Sequence, residues 1–184
     1  MQKRTVKRSS VARPRGIMAR TVARTLRAMS TARRSLQAQR PYVISQATRT
    51  ISTNRDWVNA LEIARNPAWV APRAGESYVW GRNDPNGPAA VVARRFRINN
   101  AVRRASLFLA VDNFAIVLIN GRPVVIDNPQ ANVSFFNPGR TFNIRRFLRR
   151  GNNDIVIAAF NFPSNANRSE SNPAGVLARI SIEL

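Results

Sequence analysis

The sequence contains no cysteine and no histidine, and only nine acidic residues among 184. Without cysteine there is no disulfide and no thiol nucleophile, and with histidine also missing there is no Cys- or His-based zinc site. A histidine general base and a His-containing catalytic triad are excluded as well. No apolar run approaches the roughly 18 residues that span a bilayer. The longest, Phe114–Asn120 with its neighbours, has the length of a strand. The N-terminus is basic, but no apolar block of signal-peptide type follows it.

The few carboxylates are scattered. Asp112 stands between two apolar runs and is followed by Asn113, while Asp127 and Asp154 are not paired with it by any spacing. A catalytic reading needs a second carboxylate nearby for acid–base work, so Asp112 reads as a turn residue between strands. Asn83-Asp84-Pro85-Asn86-Gly87-Pro88 is turn chemistry and not a phosphate loop, because the Lys-Ser/Thr ending is missing. Asp84, Asn86 and Asp112 offer loop oxygens of the kind that suit calcium. No catalytic residue, metal site or cofactor is expected, and the chain does not read as an enzyme.

What is abundant is arginine. Thirty basic residues, all but Lys3 and Lys7 arginine, give a net charge of +21. Such a charge favours polyanionic or acidic partners, and arginine in particular forks onto phosphate or carboxylate. The charge is uneven: residues 1–50 hold 13 basic and no acidic residues, leaving +8 for residues 51–184. This shift predicts a basic arm over 1–50 and a domain over 51–184. The Arg- and Ser-rich start also resembles a mitochondrial transit peptide.

Within the arm, Met1–Pro14 reads as extended. Residues 16–39 lack internal Pro and Gly and are rich in Ala, Arg, Leu and Met, good helix formers. Met18, Val22, Thr25, Met29, Ala32 and Leu36 fall on one helical stripe, with Arg20, Arg24, Arg27 and Arg34 on another face. Pro41 ends the pattern. The stripe is thin, so the helix needs a partner or its own domain to order it. Arg13, Arg15, Arg20, Arg24, Arg27, Arg33, Arg34 and Arg40 are the arm's candidate contacts to a partner or to nucleic acid.

From Trp57 onward, short β-rich runs alternate with Asn, Pro and Gly. Leu107–Val111 and Ile155–Ala159 are apolar at almost every position, which predicts strands buried on both faces. Asn120-Gly121 between apolar runs predicts a type I′ hairpin. Many short strands with regular turns predict an all-β sandwich or jelly roll. Arg145, Arg146, Arg149 and Arg150 interleave with Phe147 and Leu148, giving a second candidate surface for an acidic neighbour or nucleic acid. Trp69 and Trp80 admit two readings: a sugar-stacking platform, or apolar edges of the core.

Three segments carry a resemblance. Phe96-Arg97-Ile98 leads to Ala105–Asn113, a strand ending in Asp-Asn. Ala115–Gly121 is a strand ending in Asn-Gly. In Phe142–Ala158 a Gly-Asn-Asn turn opens the next buried strand. This resembles the galactose-binding-like jelly-roll β-sandwich over roughly residues 57–184. The resemblance implies the fold but no function, because that fold hosts many roles. An acid-free arginine arm ahead of a jelly roll is similar in architecture to viral capsid proteins. That likeness implies a virion structural protein, a small or minor capsid component. Its arm would lace neighbouring capsid subunits or contact the genome. A carbohydrate-binding module and a nucleic-acid packaging protein are the alternatives.

Overall fold

The computed structural model describes residues 15–44, 48–127, 139–163 and 166–184, with side chains described from residue 23 onward except at Thr48. Among the described residues a helix, α1 (Arg15–Gln37), precedes eleven strands. One sheet consists of β1 (Tyr42–Ile44), β5 (Ala89–Ile98), β10 (Gly151–Phe160), β7 (Phe114–Ile119) and β8 (Arg122–Ile126), in that order. The second runs β3 (Ala60–Glu62), β4 (Val79–Gly81), β11 (Gly175–Glu183), β6 (Arg104–Asp112) and β9 (Arg140–Asn143), with β2 (Thr48–Ser52) also paired to β11. All pairings are antiparallel except that of β1 with β5. The chain is therefore an all-β sandwich preceded by a helical arm, as the sequence predicts.

The core between the sheets is built by alternation. Leu107, Leu109 and Val111 of β6 face Ile155, Ile157 and Ala159 of β10, with Val176, Ala178, Ile180 and Ile182 of β11 alongside. The outward residues of the same strands are also apolar, and each set has its own cover. Val156, Ala158 and Phe160 of β10 join Val91 and Ala93 of β5 and Phe114 of β7 in a cluster closed by Met29 and Leu36 of α1. Ala110 of β6 and Leu177 of β11 are covered by Trp69 and Tyr78. The near-continuous apolar runs thus reflect strands sandwiched between layers on both sides.

Helix α1 lies on the outer face of the first sheet. Thr25, Met29 and Leu36 of the predicted stripe are buried and Ala32 packs against the same cluster. The side chains of Met18 and Val22 fall outside those described. The last turn closes with Gln39 N–H donating to the Leu36 carbonyl at 3.1 Å, and Pro41 blocks continuation by disfavouring helical backbone at Arg40.

One end of the sandwich is closed by asparagines. Asn120 and Gly121 both have positive φ, 53° and 77°, as a type I′ turn between β7 and β8 requires. The Asn120 amide nitrogen donates to the Phe147 carbonyl and to Asn153 Oδ1, each at 2.8 Å, and its Oδ1 accepts the Asp154 N–H at 3.0 Å. Asn153, fully buried, returns its own amide to the carbonyls of Arg149 and Gly151. The Asn-Gly and Gly-Asn-Asn elements behind the family resemblance are thus one hydrogen-bonded knot.

If α1 is an integral layer, Leu36→Ala should lower unfolding stability in urea by about 2–4 kcal/mol, the usual cost of a buried Leu truncation. Arg27→Ala on the exposed face should change it by less than about 0.5 kcal/mol. Equal, small effects from the two variants would show the helix is not packed as described.

Candidate functional site

Most carboxylates are already engaged by arginine. Asp154 binds Arg95 through two bonds of 2.8 and 3.2 Å. Asp127 receives Arg140 at 2.7 Å, Glu183 receives Arg103 at 2.5 Å, and Asp56 lies 3.8 Å from Arg94. Glu76 and Arg179 form a forked pair in which both side chains are nearly buried. Burial pushes the Glu76 carboxyl up, but the bonds from Arg179, the Arg73 N–H and Ser52 outweigh it and hold the group low. These carboxylates tie strands and loops together. Among the described residues no group of three or more His, Cys, Asp or Glu side chains could hold a metal ion. Asp84 lies in an exposed turn and Asp112 is buried beneath Trp69, so the calcium reading gains no ligand cluster.

The tryptophan platform is not formed. Trp69 is 3% exposed and Trp80 is fully buried. The Trp69 ring packs 4.7 Å from that of Tyr78 and its Nε1–H donates to Asp112 Oδ2 at 3.0 Å. A Cβ on Gly175 would come within 2.7 Å of the same ring, so that position must be glycine for Trp69 to lie flat on β11. Trp80 Nε1–H donates to the Gly87 carbonyl. The sugar-stacking reading of both residues is corrected: Trp69 with Tyr78 covers the outward faces of β6 and β11, and Trp80 lies in the core between the sheets. Asp112 ends β6 at the connection to β7, where the sequence reads a turn residue, and its side chain is buried. Desolvation raises its carboxyl to about 6, against the lowering effect of bonds from Trp69 and Asn113.

The arginines separate into groups. Arg24, Arg27, Arg34 and Arg40 are exposed. Arg13 lies outside the described residues, and the side chains of Arg15 and Arg20 are not among those described. Arg33 lies over the β7–β8 turn, where a Cβ on Gly121 would come within 2.6 Å of its guanidinium. Its side chain is exposed, as are those of Arg24, Arg27, Arg34 and Arg40. Arg145, Arg146, Arg149 and Arg150 are all exposed, and the first three take different partners. Arg146 stacks 4.8 Å from the Phe147 ring, Arg149 Nε–H bonds the Asn152 carbonyl, and Arg150 is exposed. Arg145 turns toward the outer face of the second sheet, with its Nε–H on the Val102 carbonyl at 2.9 Å.

That outer face holds residues the sequence reading passed over. Asn143, Ser106, Ser181 and Thr50 are successive cross-strand partners on β9, β6, β11 and β2. The signal was present in the alternation: outward positions change from apolar Ala110, Phe108 and Leu177 to Ser106 and Ser181 within the same strands.

No family model matches the chain, and no curated protein matches it. Solved structures share its general outline. An α-L-rhamnosidase of Streptomyces avermitilis complexed with L-rhamnose is 20% identical over 69% of this chain and 12% of its own, with a TM-score of 0.46. A β-glucuronidase from an uncultured Clostridium is 12% identical over 79% of this chain and 30% of its own, with a TM-score of 0.43. A family 35 carbohydrate-binding module from Clostridium thermocellum is 18% identical over 71% and 90%, with a TM-score of 0.38. The chain spans less than a third of the two enzymes, and likeness of this degree says nothing of ligand or activity.

Asp112 gives a pH test. Because its folded-state pKa, about 6, lies above that of an unfolded aspartate, the native state holds the proton more tightly. Its contribution to stability is greatest below the unfolded value and is lost as pH rises through about 6. Relative to Asp112→Asn, the natural protein should therefore gain stability when pH falls from 7.5 to 5. Melting curves with the same pH dependence for both would contradict this.

Proposed function

We propose that this chain is a non-catalytic structural component of a virion or a comparable particle, binding nucleic acid through the arginine face of α1. The observation that carries this is the two-sided use of the helix. Met29 and Leu36 are spent on the chain's own first sheet, while Arg24, Arg27 and Arg34 face solvent. Three cations on one helical face, over about 15 Å of rise, are held on a rigid base. Arginine so placed contacts phosphate oxygens and carries no base specificity. Of the two uses expected for the arm, this favours contact with the genome. The described part of the apolar stripe is not free to lace a neighbour.

Each phosphate contact releases counterions, so binding of the full chain to a DNA duplex should weaken steeply between 50 and 200 mM salt. Replacing Arg24, Arg27 and Arg34 by glutamine should make the log–log slope shallower by about 3. An unchanged slope would remove α1 as the contact. A particle role also requires the chain to be a stoichiometric component of purified particles, and its absence there would end that part of the reading.

Carbohydrate binding is the second reading, favoured by one feature: a cleft of about 350 Å³ where Thr50, Asn54, Asp56, Arg73 and Arg94 surround Tyr42. Polar groups of this mix suit a hydroxylated ligand. Calorimetric titration with neutral and acidic monosaccharides should then give heat that Asn54→Ala abolishes. No heat from any of them would exclude this cleft as a sugar site.

A further inference from the structure

Resting on the nucleic-acid reading, we propose that the outer face of the second sheet is a second phosphate-backbone site, so that one molecule bridges two nucleic-acid segments.

The two outer faces of the sandwich are treated differently by the chain. The first sheet's outer face is apolar and α1 covers it. The second sheet's outer face is apolar and covered only where Trp69 and Tyr78 lie. Beyond Phe108 the cover stops and the surface becomes polar and concave. Ser106 and Ser181 form its floor, with Asn143 and Thr50 as their cross-strand partners on either side. Four neighbouring strands extend this row across about 14 Å. Ser106 and Ser181 both line the cavity above this floor.

One wall of the trough is fixed. Arg179 lies 4.9 Å from the Phe108 ring and is locked to Glu76, so it adds shape and no net charge. The other wall carries exposed arginines. Arg103, Arg104 and Arg145 line a cavity of about 530 Å³ over the serine floor. The Arg103 and Arg104 side chains are 71% and 86% exposed, and Glu183 is their common carboxylate, at 2.5 and 3.9 Å. Three guanidinium groups against one carboxylate leave the wall cationic.

Exposed arginines over hydroxyl and amide side chains are the donor set that holds phosphate oxygens. The floor is flat, so nothing protrudes to read a groove. The one aromatic ring at its border, Phe108, is topped by Arg179, which removes the stacking surface that would select single-stranded bases. A sequence-independent backbone contact is what remains. This site and the arginine face of α1 lie on opposite sides of the molecule, separated by two sheets and a helix. Layer spacings of about 10 Å place them at least about 20 Å apart. One duplex segment cannot reach both without wrapping the domain, whereas two segments can each take one face.

The experiment is capture of a second duplex. An immobilised 30-bp duplex is loaded with the full-length protein and then offered a fluorescent duplex of unrelated sequence. The natural protein should capture it. Arg103→Gln with Arg104→Gln and Arg145→Gln should still load onto the immobilised duplex but lose capture at least tenfold, with melting temperature kept, since all three side chains are exposed. Glu183→Gln should increase capture, and Glu62→Gln, which removes a carboxylate elsewhere, should not. Capture undiminished in the triple variant would overturn the bridging proposal and leave the α1 reading intact. Loading unaffected by glutamine at Arg24, Arg27 and Arg34 would instead overturn the α1 reading on which the proposal rests.

Discussion

Val156, Ala158 and Phe160 point away from the sandwich core, and the chain has to cover them. Their partners in the same layer, Val91, Ala93 and Phe114, are equally apolar. Left in water this face would be a large adhesive patch of the kind soluble monomers avoid. The arm supplies the cover, through Met29 and Leu36. A helix too sparsely apolar to hold alone is stabilised by the sheet, and the sheet is kept from solvent by the helix. Most else in the molecule follows from this exchange. The arm's arginines acquire a fixed orientation because the opposite side of the helix is anchored, and Arg33 is drawn over the Asn120-Gly121 turn as part of the same contact.

The second sheet solves the same problem with different means. Trp69 and Tyr78, carried in the connection between β3 and β4, close over Ala110 and Leu177, and glycine at 175 lets the indole approach. The cover is bought with a buried carboxylate, since Asp112 accepts the indole N–H in a desolvated position. Where that cover ends, the outward residues become serine and the rim becomes arginine. The sandwich thus displays cations on both of its outer sides, while its carboxylates are mostly consumed inside ion pairs that join strands.

Much of the fold was legible because period and burial coincide. Continuous apolarity in 155–159 announced a strand covered on both faces, and Asn120-Gly121 announced the β7–β8 hairpin. The spacing of Thr25, Met29, Ala32 and Leu36 announced a helical stripe, though not the sheet it would meet, since periodicity names a face and not its partner. The tryptophans misled for a related reason. An aromatic side chain suits a core and a platform equally; the apolar outward faces of β6 and β11 claim Trp69, and the layer between the sheets claims Trp80. The arginine runs named no partners: Arg145 bonds the Val102 carbonyl, Arg146 stacks on Phe147 and Arg149 bonds the Asn152 carbonyl, contacts set by the folded turn and not by spacing. The serine row was invisible as a site because successive members lie 37 to 56 residues apart along the chain, at positions 50, 106, 143 and 181, and are joined only by strand pairing.

The central claim is that α1 is docked on the sandwich before any partner arrives, with its arginine face outward. Hydrogen exchange of the full chain, with and without a DNA duplex, addresses it directly. The account predicts that amides of residues 27–36 are strongly protected in the free protein, comparably to those of β5 and β10, and change little when DNA is added. Amides that exchange in the free protein as fast as those of an isolated peptide, and become protected only on adding DNA, would contradict it.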